Sequence, residues 1–168
     1  MATKTEQASR VVVLGVGNIL LGDEGIGVHV AHALEEMPSP ASPALEVIDG
    51  GTLPDIVTSL GEVDKLIIVD AVKGGDEPGT IYRFRPEEIS PEDNEVFTSL
   101  HQINLLEELW LVERFGQKPK EVVIIGVEPE DIKLELELSV KLQQRIPRII
   151  EVVLEEAGVD TLNSEKGR

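Results

Sequence analysis

The sequence predicts an open α/β sheet with helices on both faces. Three observations carry that expectation. Short, mostly β-branched runs recur at Arg10–Gly15 (RVVVLG), Leu45–Ile48 (LEVI), Leu66–Val69 (LIIV) and Glu121–Val127 (EVVIIGV), as strands buried on both faces read. Stretches with apolar residues at helical spacing lie between them. The first three runs close on glycine or aspartate, where a chain turns away from a sheet. At 168 residues, one domain is expected, with its core over about residues 10–157.

Taken in order, residues 1–9 read as a polar tail and Arg10–Gly15 as the first strand. A glycine-rich stretch, GVGNILLGDEGIG, follows. Ile26, Val30, Ala33, Leu34 and Met37 then mark a helix, with Asp23 as its expected N-cap and Pro38, Pro40 and Pro43 ending it. Leu45–Ile48 is the second strand, closed by Asp49-Gly50-Gly51-Thr52. A helix is expected over 53–60, with Pro54 in its first turn. Leu66–Val69 is the third strand and ends in Asp70. The loop AVKGGDEPG is too short for a crossover helix, so Thr80–Phe84 (TIYRF) is expected to run antiparallel to the other strands.

Residues 86–97 are acidic, contain two prolines and read as a loop. Ser99 is placed to cap a helix that turns Ile103, Leu106, Leu109 or Trp110, and Phe115 inward. Glu121–Val127 is the fifth strand. Leu138, Leu142, Ile146, Ile149, Val153 and Leu154 mark a terminal helix. Pro147 lies inside that pattern, so the helix kinks there or two helices meet.

Composition narrows the function. The apolar fraction is 41% and the charged fraction 28%, ordinary for a globular chain. Thirty-two acidic residues against 15 basic ones give a net charge of −17, which disfavours nucleic acid and anionic membranes. No cysteine is present, so disulfides, thiolate nucleophiles and cysteine-bound metals are excluded. The first ten residues lack the apolar core of a secretory signal, and no apolar run reaches the ~18 residues of a membrane span. The expectation is a cytoplasmic protein.

In open α/β sheets the working residues lie beyond the carboxyl ends of the strands. That rule selects the loop after strand one, with Glu24, then Asp49 after strand two and Asp70 after strand three. His101, in the first turn of a helix that can reach the same edge, joins them. Two carboxylates and an imidazole suit nickel, zinc or manganese, and three protein ligands leave positions open for substrate. Glycines 22, 25 and 27 leave little bulk around Glu24, so another chain could approach it. Taken singly, each residue also has a plain structural reading: Glu24 at a helix N-terminus, Asp49 and Asp70 as turn or cap residues, His101 on the surface. His29 and His32 read as structural, with His32 pointing away from the apolar face. A dinucleotide loop is disfavoured because Leu20 replaces the third glycine and Asp49 lies well beyond the ~20-residue spacing of that fingerprint.

The stretch VVVLGVGNILLGDEGIGVHVAHAL is followed in order by IDGGT, LIIVDAV, PGTIYRF, SLHQINL and VVIIGVEP. Together they closely resemble the hydrogenase maturation endopeptidases, from about residue 10 to about residue 155. The resemblance implies a three-layer α/β/α sandwich of the phosphorylase/hydrolase type. Its mixed sheet has five strands in the order 2-1-3-5-4, with strand four antiparallel. It implies removal of a short C-terminal peptide from the nickel-loaded large-subunit precursor of a nickel–iron hydrogenase. Glu24, Asp70 and His101 match the family's metal-contacting residues, and Asp49 matches an acid with a role in function. Nickel arrives on the substrate, and zinc or cadmium can take the same donors. Asp49 or Asp23 is the expected general base. A hydrogenase assembly chaperone is a further expected partner. The competing readings are a non-catalytic, nickel-dependent assembly chaperone and, more remotely, a dinucleotide-dependent oxidoreductase.

Overall fold

Strands β1 (Val11–Val16), β2 (Leu45–Gly51), β3 (Lys65–Ala71), β4 (Ile81–Phe84) and β5 (Glu121–Val127) form one mixed sheet in the order β2-β1-β3-β5-β4. The computed structural model describes residues 9–38, 45–89 and 100–159, with the side chains of 100–104 excepted. Strands β1, β2, β3 and β5 are mutually parallel, and β4 runs antiparallel to β5. The sheet order and the reversed fourth strand are those the sequence and its resemblance predicted. The N-terminal tail, Pro40, Pro43 and the Ser99 cap lie outside the described residues.

The strands alternate their side chains between two apolar layers. Val11, Val13, Ile67, Val69, Val123 and Ile125 pack toward α1 (Ile26–Glu35) and α3 (Val140–Glu156). Val12, Leu14, Leu66, Ile68, Val122 and Ile124 pack toward α2 (Leu100–Arg114) and the 57–63 segment. Both layers are needed because near-continuous apolar strands have no polar face to offer water. At the amino edge of the sheet, Glu156 of α3 receives Lys65 of β3 at 2.7 Å and pairs with Arg83 of β4. Burial pushes the Glu156 carboxyl up, but these two cations outweigh it and leave the group below its ordinary value.

Three expectations change. Residues 53–60 form turns, not a helix. Asp55 adopts φ 59° and the bonds Ser59–Ile56 and Leu60–Val57 span three residues. So short a segment is marginal as a helix, and the Glu108 carboxylate of α2 accepts the Val57 N–H at 2.6 Å. Secondly, on α2 Leu109 is buried and Leu106 packs against the core as expected, with Trp110 the outward one of its pair, but Leu105 and Val112 are buried too and Phe115 faces outward with 72% exposure. Thirdly, Met37 lies past the end of α1 and is exposed. Of the two alternatives at Pro147, the structure has one helix, α3, running through it rather than two that meet. Pro147 is exposed, so the helix carbonyl it leaves unpaired can reach water.

The entry of α1 onto the sheet depends on two glycines. A Cβ on Gly27 would lie 2.1 Å from the Val69 carbonyl oxygen and 2.3 Å from that of Val16; a Cβ on Gly15 would lie 2.1 Å from the Gly27 carbonyl oxygen. The helix backbone therefore rests directly on β1 and β3. Gly27→Ala is expected to destabilise the protein by about 3 kcal/mol in urea unfolding, because backbone cannot yield as a side chain would.

Candidate active site

The site is built at the carboxyl ends of β1 and β3. After β1 the chain turns at Asn18, whose Oδ1 accepts the Leu20 N–H at 2.9 Å and whose carbonyl accepts the Leu21 N–H at 3.1 Å. It then enters a short 3-10 turn over Gly22–Gly25 that carries Asp23 and Glu24. The loop closes on itself: a Cβ at Gly17, where φ is +137°, would lie 2.0 Å from the Glu24 carbonyl oxygen. Gly25 is likewise filled by the backbone of Ile19. The small residues around Glu24 thus make room for the chain's own backbone, which corrects the expectation that they open it to another chain.

Asp23 does not cap α1. It is 1% exposed and accepts three backbone N–H groups from the loop between β5 and α3. Its Oδ2 takes those of Glu130 and Asp131 at 2.9 and 3.1 Å, and its Oδ1 takes that of Ser139 at 2.7 Å. Both oxygens are engaged by backbone, so the role the geometry shows for Asp23 is to fasten this loop. Gly22 N–H donates to the Glu135 carbonyl at 2.7 Å and Glu135 N–H to that of Leu20 at 3.0 Å, which stitches the two loops together. His29 of α1 lies beside the Leu136 backbone of the same loop, its Nε2 buried without a hydrogen-bond partner. Burial, helped by the nearby His32, holds its imidazole below the ordinary histidine value.

Asp70 lies one residue from the end of β3, opposite Gly126 of β5. Strand alternation turns it to the α2 face, the side taken by Ile68. It is 1% exposed. Oδ1 accepts the Ala71 N–H at 2.8 Å, whereas Oδ2 is buried with no hydrogen-bond partner. Burial raises the Asp70 carboxyl well above its ordinary value; the Ala71 N–H opposes this and the charge of Glu24 adds to it. Glu24 and Asp70 are therefore brought together, and the second oxygen of Asp70 is an acceptor that a cation would satisfy. His101 lies in the first turn of α2, and its side chain is outside the described residues. The turn after α2 joins β5 at the amino edge, where Lys120 N–H bonds to Val63, so the helix begins at the carboxyl edge on the Asp70 face. Among the described residues no group of three His, Asp or Glu side chains forms a metal site.

Asp49 is not part of that pair. Its neighbours Leu45 and Val47 on β2 pack in the α1 layer, opposite the face of Asp70, and its Oδ2 lies 2.7 Å from His32 Nε2. The i, i+3 relation of His32 to His29 is visible in the sequence, which reads both as structural; its partner on β2 is not. Beside the site, an open cleft of about 640 Å³ runs between residues 73–75 and 128–132. The buried Glu128 holds one wall, its Oε2 accepting Gly74 and Gly75 N–H at 2.6 and 3.2 Å and the Tyr82 hydroxyl at 2.7 Å. Asp23 holds the other wall through Glu130 and Asp131.

Similar folds and sequences are found among known proteins. The family described as "Hydrogenase maturation protease" matches residues 28–156. The hydrogenase 2 maturation protease of Escherichia coli is 36% identical over 93% of this chain and 97% of its own length. This chain belongs to the hydrogenase maturation protease family. The solved structure of the maturating endopeptidase HybD from E. coli superposes with a TM-score of 0.76 at 36% identity, over 90% of this chain and 95% of that one. The maturation protease HycI of Thermococcus kodakarensis superposes at 0.69 with 28% identity, over 88% and 91%. The family match spans Asp49, Asp70 and His101 and begins just after Glu24 in this maturation-protease chain.

Two outcomes follow from the site's electrostatics and fastening. Folded Asp70 keeps its proton to higher pH than unfolded Asp70, whose ordinary value is 3.8. As pH rises past that value the unfolded chain loses a proton the folded one retains, so stability falls until the folded group also ionises. Urea unfolding from about pH 3 to about pH 7 should show the wild type losing stability relative to Asp70→Asn. Separately, Asp23→Ala should cost roughly 2 kcal/mol or more. It should also speed hydrogen exchange at the amides of Glu130, Asp131 and Ser139 above other loop amides.

Proposed function

We propose that this maturation protease removes a short C-terminal peptide from the nickel-loaded large-subunit precursor of a nickel–iron hydrogenase. The observation that carries the reading is the Glu24–Asp70 pair, one oxygen of which is buried without a partner. An uncompensated carboxylate of this kind is costly to maintain. A cation brought by the substrate would compensate it. The expected relation to hydrogenase precursors is supported by relatives such as the hydrogenase 2 maturation protease and, at 35% identity over 90% of this chain and 96% of its own length, the coenzyme F420 hydrogenase subunit delta of Methanothermobacter thermautotrophicus.

In this proposal Glu24, Asp70 and His101 complete the coordination of nickel that the precursor carries, and zinc or cadmium can use the same donors. Bound nickel supplies Lewis acidity near the scissile carbonyl. Asp70 fixes the position by its Ala71 hydrogen bond, and Glu24 is held by the closed glycine loop. Asp49, paired with His32, is retained as an accessory carboxylate. A precursor without nickel brings no counter-charge to Glu24 and to the Asp70 carboxyl, which burial already holds above its ordinary value, so the reading explains why cutting would await metal insertion. No described helix is long and apolar enough to cross a membrane, and we place the reaction in the cytoplasm, where a hydrogenase assembly chaperone could deliver the precursor.

The test is the intact mass of the cognate precursor, with and without nickel, after mixing with the protein. Loss of a C-terminal peptide only from the nickel-loaded form is expected. Glu24→Gln and Asp70→Asn should lower the rate by about a hundredfold or more, and Asp49→Asn by less. Cutting of nickel-free precursor at an equal rate would overturn the trigger. Stable binding with an unchanged mass would point to a chaperone.

A further inference from the structure

Helix α2 is apolar on two sides. Leu105, Leu109 and Val112 face the core, whereas Trp110, Leu111 and Phe115 are exposed. Trp110 is the one tryptophan of the chain and is 60% exposed. A helix that only covers a sheet needs a single apolar stripe. Glu107, Trp110, Leu111 and Arg114 are exposed and stand at i, i+3, i+4 and i+7, so they line one outward stripe, with Phe115 at its flank. The Arg114 guanidinium lies 5.5 Å from the centroid of the Trp110 ring, which lays the cation along the stripe. The stripe occupies the later half of α2, toward the amino edge of the sheet and away from Glu24 and Asp70.

Charge narrows what can cover it. Over residues 106–120 the acids Glu107, Glu108 and Glu113 balance the bases Arg114, Lys118 and Lys120. This is a neutral stretch in a chain of net charge −17, where two copies can approach with little like-charge repulsion. Four of the six are engaged within the chain: Glu108 accepts the Val57 N–H, Glu113 pairs with Lys118, and Lys120 pairs with Asp64. Among the described residues Glu107 and Arg114 have no ion-pair partner. Two turns separate them, about 10 Å along the helix, too far to pair with each other.

The stripe is its own complement. When two α2 helices lie antiparallel about a two-fold axis centred between Trp110 and Leu111, Trp110 of each copy stands level with Leu111 of the other, and Glu107 with Arg114. Each contact then forms twice, as an isologous interface requires. Parallel pairing would instead set Glu107 against Glu107.

We infer that this stripe is a homodimer interface, in which two copies of the chain pair their α2 helices antiparallel. Trp110 and Leu111 bury against each other, and two Glu107–Arg114 ion pairs bracket them. The inference does not rest on the proposed function. Antiparallel pairing sends the two Glu24–Asp70 sites to opposite ends of the helix pair and leaves both open. One helix pair is small beside a standard interface of ~1,600 Å², so association is expected to be reversible, with a Kd of about 1–100 μM.

The test is sedimentation velocity of the full chain across that concentration range, with tryptophan emission read on the same samples. The wild type should pass from monomer to dimer, and the emission of its lone tryptophan should move to shorter wavelength as it does. Trp110→Ala should abolish the dimer. Glu107→Arg or Arg114→Glu alone sets like charges together twice and should weaken dimerisation about tenfold or more. The double variant Glu107→Arg/Arg114→Glu should recover it to within about threefold, and the two single variants mixed should form a heterodimer. Circular dichroism checks that each variant is folded. A wild type that stays monomeric throughout, or a dimer indifferent to both charge reversals, overturns the inference. A monomer whose Trp110 stripe is instead needed to bind the hydrogenase precursor or an assembly chaperone overturns it as well and assigns the stripe to that partner.

Discussion

The buried carboxylate of Asp23 is the contact on which the site depends. It links two loops far apart in sequence, the one after β1 and the one before α3, by accepting three backbone N–H groups. Charge-assisted bonds of this kind are stronger than neutral ones, and the alternative is three amide groups without partners at a loop the sheet does not support. Its neighbour Glu24 is held in place by the same turn. The residue that fixes the geometry and a residue that faces Asp70 are thus adjacent in the chain, with separate tasks.

A second constraint is the dielectric position of Asp70. The strand delivers it to the carboxyl edge, but burial among apolar neighbours would ordinarily remove an acid from such a place. One oxygen is satisfied by Ala71 and the other is not. Glu24 makes the cost greater rather than smaller. Two acids arranged to oppose one another are poor stabilising design and good preparation for a cation.

Much of the fold was legible because it rests on local pattern. β-branched runs, helical stripes such as Leu142, Ile149 and Val153, and the short 71–79 loop fix the strands, the last helix and the reversed β4. The strand order came with the family resemblance. Segment 53–60 was misread because its conformation depends on Glu108, fifty-one residues away from Val57. Asp23 was misread for the same reason: an aspartate ahead of a helix looks like a cap, and its partners at 130, 131 and 139 are invisible to local spacing. Asp49 and Asp70 share an edge, as expected, but a sheet edge has two faces. The β1–β2 register shifts between Gly15 and Val16, opposite Asp49 and Gly51; Asp49 then meets His32 of α1, while Asp70 turns toward α2.

The charge interaction between Glu24 and the buried Asp70 is tested most directly by carbon-13 NMR titration of the Asp70 carboxyl in the wild type and in Glu24→Gln. Asp70 is expected to titrate well above the ordinary value of 3.8 and to move down when the Glu24 charge is removed. Titration at the ordinary value, unchanged in Glu24→Gln, would mean that the two carboxylates do not share a site.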